Sequence, residues 1–133
     1  ILLIRKDETN MKVEGPKHET SILSKILPQI GNIKGIEWEI QNLSNGESVM
    51  PGPSDYRLRG IVILDEITAK EFQDNFEWKE VNVNIEADTF DVSKYNQRRW
   101  YYNFKFQQQI ASKRVMGKIY FSGEELWFNI VYN

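Results

Sequence analysis

The 133-residue chain has no cysteine and only one histidine, His18. The absence of cysteine excludes disulfides, thiolate metal sites and thiol nucleophiles. A single histidine leaves little material for the zinc and acid–base sites that many enzymes build from this residue. The sequence also contains no G-x-S-x-G elbow, no glycine-rich phosphate loop and no apolar run near the ~20 residues of a membrane helix. We therefore assign no catalytic residue, no metal ligand and no cofactor.

Charge is nearly balanced overall but uneven along the chain. Lys and Arg total 17 against 19 Asp and Glu, a formal net charge of −2, which excludes a wholly basic nucleic-acid binder. Residues 37–91 are strongly acidic, whereas residues 92–123 hold bases and no acid. Two interpretations stay open: acidic and basic strands neutralise each other within one sheet, or the basic block forms a surface for an anionic partner.

The order of hydrophobic residues predicts an α+β domain. Apolar residues alternate over residues 35–43 and 79–87, and again at the aromatic positions of 100–106, which is the period of a strand with one buried face. Tyr56–Leu64 ends in a continuous apolar run that favours a central strand. Met116–Ser122 and Leu126–Tyr132 flank a three-residue turn and predict a hairpin.

Two helices are predicted between these strands. Ile22 to Ile30 place apolar residues at helical spacing, and Pro28 should end that helix. Thr68–Glu71 has the pattern of a capping box, with Thr68 as N-cap, and starts a second helix that reaches about residue 77. The expected architecture is a mostly antiparallel sheet of about six strands with two short helices on one face. We expect one domain over residues 1–133.

The N-terminal part is expected to be a linker or an edge strand over residues 1–19. Ile1–Ile4 is too short for a signal-peptide core and is interpreted as an edge strand, and residues 5–19 as a polar loop. The chain does not begin with methionine, which favours a fragment or a processed chain. Contact with a membrane is expected only through an anchor upstream of Ile1.

One candidate binding surface lies in the stretch from Lys94 to Phe106, where bases and aromatic residues are interleaved. The alternation assigns Trp100, Tyr102, Phe104 and Phe106 to the core. Tyr101, Asn103 and Lys105 then point outward, and Arg98 and Arg99 lie at the start of the strand. Such residues suit a carboxylate-rich protein or an anionic polymer, and less specifically a single-stranded nucleic acid, which we consider the weaker interpretation.

A second candidate surface is the loop of residues 51–59. Two prolines and a glycine stiffen Pro51–Asp55 and would present Asp55 and Tyr56 at fixed positions, followed by Arg57 and Arg59. Asn45-Gly46, just before this loop, predicts a tight turn into a strand at Ser48–Met50.

This loop also carries a resemblance. Val49–Tyr56, followed by the apolar strand Arg57–Leu64, resembles a segment of small uncharacterised exported or lipid-anchored proteins of Gram-positive bacteria. Those proteins also carry a late tryptophan and a glycine-led aromatic strand, as Trp100 and Gly117–Phe121 do here. The resemblance implies a location outside the membrane, secreted or anchored, and a role other than catalysis. A cytoplasmic location stays open.

The leading hypothesis is a non-catalytic interaction domain at the bacterial cell surface that contacts a protein or an anionic polymer. An immunity or inhibitor protein for a secreted toxin is a specific version of it. A hydrolase that uses paired carboxylates on a cell-wall glycan is an alternative. Its candidate acids are Asp55, Asp65, Glu66, Asp88 and Asp91. A single-stranded nucleic-acid binder is a further alternative.

Overall fold

The computed structural model describes residues 12–43 and 55–132. Its strands are Val13–Lys17 (β1), Ile33–Asn42 (β2), Tyr56–Leu64 (β3), Lys79–Val81 (β4), Trp100–Tyr102 (β5), Val115–Ser122 (β6) and Glu125–Tyr132 (β7). Its α-helices are Leu23–Ile26 (α1), Glu66–Asn75 (α2) and Phe104–Ile110 (α3), and a 3-10 helix spans Ser93–Gln97. The strands form one antiparallel sheet in the order β1-β2-β3-β7-β6-β5-β4.

The α+β class is thus confirmed, and the described residues correct the counts to seven strands and three α-helices. Some sequence predictions lie outside the described residues. They are the edge strand at Ile1–Ile4, the Asn45-Gly46 turn into Ser48–Met50, and the Pro51–Ser54 part of the proline-rich loop.

The predicted strands β2 and β3 form the centre of the first half of the sheet. Ile36 and Trp38 of β2 point to one face and are buried, as the alternation predicted. Trp38 lies opposite Gly60 of β3. A Cβ atom at Gly60 would lie 2.6 Å from Cζ of Phe128 and 2.7 Å from the carbonyl oxygen of Glu37, so the sheet has no room for a side chain there.

All three helices pack on one face of the sheet, which we call the helical face. The core between them joins residues of α1, α2 and α3 to inward residues of β2, β3, β6 and β7. Phe72 of α2 meets Phe106 of α3 edge to face, with ring centroids 4.8 Å apart. Helix α1 ends at Ile26, close to the position where Pro28 predicted an end.

The opposite face is covered by chain as well. Residues 82–99 cross it without forming a regular strand, and Ile85 and Tyr95 pack there on Ile61, Trp100 and Trp127. These five buried residues make a second core. The continuous apolar run at the end of β3 is explained by this arrangement, because its residues alternate between two buried faces.

Several strands, helices and turns begin or end at residues other than those predicted from the sequence. Residues 13–17, expected to be loop, form the edge strand β1. The strand predicted over 79–87 stops at Val81. Helix α2 begins one turn earlier than expected, because the Asp65 side chain, rather than that of Thr68, accepts the capping hydrogen bond. The turn between β6 and β7 has two residues, since Ser122 pairs with Glu125.

The aromatic stretch is the largest correction. The period of two predicts one strand through Phe106, but β5 ends at Tyr102 and helix α3 begins at Phe104. The side chain of Asn103 accepts a hydrogen bond from the Phe106 amide at 2.8 Å, which caps the new helix. As a result Trp100 and Phe106 lie in different cores, and Phe104 is exposed instead of buried.

Candidate functional site

A groove opens where β4 and β5 separate. Val81 and Trp100 are the last paired residues of the two strands on this side. Further along, Asn96 replaces the missing backbone pairing. Its side chain accepts from the Ile85 amide at 2.8 Å and donates to the Ile85 carbonyl at 2.9 Å. A side-chain amide that satisfies both backbone groups of Ile85 holds the two segments together at that point.

Between these two connections the segments enclose a groove of about 440 Å³, which we call the Arg99 groove. It is lined by residues 80–84, Asn96 and residues 98–100. Its polar side chains include three asparagines, two arginines and one glutamate. The basic stretch thus contributes Asn96, Arg98 and Arg99 to a concave surface, whereas Asn82 and Asn84 come from the segment predicted as a strand over 79–87.

The two arginines of the groove differ in their surroundings. Arg98 forms an ion pair with Glu125 of β7, and its guanidinium lies 5.1 Å from the ring centroid of Tyr95. Arg99 is exposed and forms no ion pair with the residues that the structure describes. Arg98 is therefore held by the protein itself, whereas the guanidinium of Arg99 is available to an external anion.

The other outward candidates of this stretch do not join the groove. Tyr101 is half-buried on the helical face, opposite Phe121. Lys105 is exposed in the first turn of α3, beside a separate hollow lined by residues 75–77 and 103–105. The expectation that Lys105 shares one strand face with Tyr101 is wrong, because the chain turns into a helix at Asn103.

The candidates of the second surface have different roles. Tyr56 is half-buried and packs against the core of the helical face, Asp55 is half-buried just before β3, and Arg57 is exposed. Arg59 is buried instead of presented to a partner. One of its guanidinium nitrogens lies 2.7 Å from a carboxylate oxygen of Glu39 on β2. The prediction that Arg59 belongs to an exposed binding surface is therefore wrong.

The carboxylate of Glu39 anchors the chain that covers the second core. It is 1% exposed and accepts hydrogen bonds from the amides of Asp88 and Thr89 and from the Thr89 hydroxyl, at 2.8–3.1 Å. The alternation over residues 35–43 predicts that Glu39 lies on the solvent side of the strand. Its side chain does point away from the helical face, but residues 82–92 cover that side of the sheet. No pattern in the sequence near Glu39 predicts this cover.

The candidate acids of a hydrolase take up separate local contacts. Asp65 caps α2, and Asp91 accepts from the Ser93 amide at 2.9 Å. These backbone hydrogen bonds, from Thr68 and Ser93 respectively, lower the pKa of each carboxyl below its ordinary value. Asp88 lies 3.4 Å from Arg59, and Glu66 lies 3.9 Å from Lys34. In the described part of the chain no group of three or more acids or histidines could hold a metal ion.

The aromatic residues among the bases are mostly covered. Trp100 is 2% exposed, Tyr95 is 6% exposed and Phe106 is fully buried. Stacking of nucleic-acid bases needs accessible ring faces, so these rings offer no platform for it. His18 is exposed and lies 3.3 Å from a carboxylate oxygen of Glu37.

Comparisons with protein-family models, curated proteins and solved structures find no match to this chain. Among the described residues, no helix has the length and apolar character needed to span a membrane.

Proposed function

We propose that this protein is a non-catalytic binding domain whose Arg99 groove takes carboxylate groups of a partner protein. The observation that carries the proposal is the exposed guanidinium of Arg99, which has no ion pair among the described residues and lines a concave surface. We further propose an extracytoplasmic location, which rests on the resemblance of the proline-rich loop.

Carboxylate is the ligand chemistry that this groove suits. A guanidinium presents parallel N–H donors that match the two oxygens of a carboxylate, and such charge-assisted pairs are stronger than neutral hydrogen bonds. Asn82 lines the same groove and supplies amide donors. The ion pair with Glu125 neutralises most of the charge of Arg98. It also holds the Arg98 side chain in place in the groove next to Arg99.

The alternatives receive less support. Paired-carboxylate hydrolysis needs two acids on either side of a bound sugar, whereas Asp65 and Asp91 are each committed to a backbone cap or turn. Single-stranded nucleic acid needs stacking platforms, and three aromatic rings of the basic stretch, those of Tyr95, Trp100 and Phe106, are buried. A protein carboxylate requires neither feature.

The test uses poly-L-glutamate as an acidic probe and ¹H–¹⁵N NMR of the whole chain. We expect the backbone amides of Arg99 and Asn82 to shift, and Arg99→Gln to weaken binding about tenfold or more, since a hydrogen bond to a charged group is worth ~1.5–3 kcal/mol. The matched control is Lys113→Gln, which removes an exposed base of the same basic block away from the groove.

The comparison separates a specific site from general attraction. Equal losses in Arg99→Gln and Lys113→Gln would show that the probe senses only overall charge. The absence of shifts at the groove in low salt, where charge interactions are strongest, would refute the proposal.

A further inference from the structure

A small apolar notch lies beside the Arg99 groove, between α2 and strands β5 and β6. It has a volume of about 230 Å³ and is lined by Gln73, Trp78, Tyr101, Phe121 and Gly123. The indole of Trp78 stacks on Phe121, with centroids 4.8 Å apart and ring planes at 20°.

The polar atoms around the notch are occupied by the fold. The Trp78 indole N–H donates to the Phe72 carbonyl at 3.0 Å, and the Gln73 amide donates to the Gly123 carbonyl at 3.1 Å. The walls that remain are aromatic. An apolar cavity of about 150 Å³ holds a benzene molecule, so this notch has room for a leucine side chain or an aromatic ring.

The notch and the groove are adjacent through paired residues. Glu80 lines the groove and lies opposite Tyr101, which lines the notch. Arg99 precedes Tyr101 by two residues and lies between the extended residue Arg98 and strand β5, and in a chain that continues extended through Arg99 the two side chains leave on the same side. At a rise of ~3.3 Å per residue, the two positions are about 7 Å apart along the chain.

We propose that the notch is a second pocket of the same binding site, and that the ligand is an extended peptide carrying an acidic residue and, two positions away, a leucine or phenylalanine. The proposal rests on the proposed function, because the carboxylate is taken by Arg99. An extended peptide repeats the same spacing: its residues two apart share one side and lie about 7 Å apart. The carboxylate of such a peptide can therefore reach Arg99 while its leucine or phenylalanine side chain enters the notch.

The test uses three synthetic peptides of equal length and charge. The first is acetyl-Gly-Glu-Thr-Leu-Gly-amide, the second has alanine in place of leucine, and the third has leucine directly after glutamate. We expect the first to bind about 15- to 60-fold more tightly than the second, because leucine buries roughly two to three more carbons at ~0.8 kcal/mol each. The third should bind no better than the second.

Variants locate the effect on the protein. Tyr101→Ala removes one wall of the notch and should abolish the preference for the leucine peptide over the alanine peptide. Tyr102→Ala is the matched control, because Tyr102 follows on the same strand and contacts Tyr120 on the opposite face. Should Tyr101→Ala not fold, the unmodified protein still decides: the Trp78 indole resonance should shift with the leucine peptide and not with the alanine peptide.

Each outcome has a distinct meaning. If all three peptides bind equally and depend on Arg99, the notch proposal is overturned and the proposed function stands. If none binds, both are overturned. If the leucine peptide binds with undiminished affinity to Arg99→Gln, the two-point ligand is wrong, because the carboxylate then contributes nothing.

Discussion

Glu39 and Arg59 form an ion pair across the neighbouring strands β2 and β3, with 2.7 Å between a carboxylate oxygen and a guanidinium nitrogen. Glu39 is 1% exposed and Arg59 is 9% exposed. Asp88 and Glu86 of the covering segment complete the charge around Arg59, at 3.4 and 3.9 Å. The pair therefore joins the sheet to the chain that covers its second core.

Removing one member of this pair should destabilise the fold strongly. Glu39→Gln leaves a buried guanidinium and weakens the hydrogen bonds to Asp88 and Thr89, and such changes cost about 3–5 kcal/mol. We expect the lower end, because Asp88 still compensates Arg59. The measurement is the free energy of unfolding in urea, with hydrogen exchange at the Asp88 and Thr89 amides.

Glu37→Gln is the control for this prediction. Glu37 lies two residues away on the same face of β2 but is partly exposed, and its change should stay within about 0.5 kcal/mol. If both variants lose equal stability, the buried pair has no special role.

A methyl group at Gly60 should also disrupt the sheet. Its Cβ would lie 2.6–2.7 Å from Phe128, Trp38 and the Glu37 carbonyl oxygen, so Gly60→Ala forces two strands and a buried ring apart. Overpacking of this kind costs about 1–3 kcal/mol, which a melting curve would detect. Gly35→Ala in β2 meets nothing within 4 Å and should be nearly neutral. A neutral Gly60→Ala would contradict the packing described.

Asp65 should give a pH-dependent contribution to stability. The hydrogen bond from the Thr68 amide lowers its pKa below the ordinary value of 3.8 in the folded chain. A depressed folded pKa stabilises the protein above the unfolded value, and that stabilisation disappears as pH falls through the folded pKa. Asp65→Asn keeps a capping oxygen without the charge, so the stability difference between wild type and variant should shrink below about pH 3.8.

The direct check is an NMR titration of the Asp65 carboxyl carbon, whose midpoint should lie below 3.8. A difference between the two proteins that stays constant across acid pH would show that the charge of Asp65 adds nothing to the cap.

The Arg99 groove contains one unfavourable charge for an acidic ligand. Glu80 lines it and repels carboxylates that approach Arg99. Glu80→Gln should therefore strengthen binding of poly-L-glutamate by up to about fivefold, since exposed charge interactions are worth ~0.2–1 kcal/mol. Glu77→Gln, an exposed acid that lines a different hollow, is the control. Weaker binding by Glu80→Gln would mean that the ligand approaches from another side.

The sequence predicted those strands and helix ends that depend on neighbouring residues alone. The alternation of Ile36 and Trp38 gave β2, and Pro28 gave the end of α1. The prediction of a single strand over residues 100–106 is wrong because Trp100 and Phe106 fit a period of two, although they lie in cores on opposite sides of the sheet. The capping residue Asn103 is the one local signal that could have marked the change from strand to helix.

The site was predictable only in part for a similar reason. Arg98, Arg99 and Tyr101 stand out by composition, and all three lie at the groove or the adjacent notch. The burial of Glu39 and Arg59 depends on residues 86–89, which lie about 50 residues beyond Glu39 and nearly 30 beyond Arg59, and no spacing in β2 or β3 reveals this. Partners distant in sequence become visible only when the register of the sheet is known.

The strand order has a kinetic consequence. In the described sheet, every strand pair joins sequence neighbours except β3 with β7. The described sheet thus consists of two meanders, β1–β3 and β4–β7, whose strand pairs can form early from local contacts. The β3–β7 pairing joins them and forms later, because a long loop must close first. We therefore expect changes in the early hairpins to slow folding, whereas changes in the late β3–β7 pairing mainly accelerate unfolding.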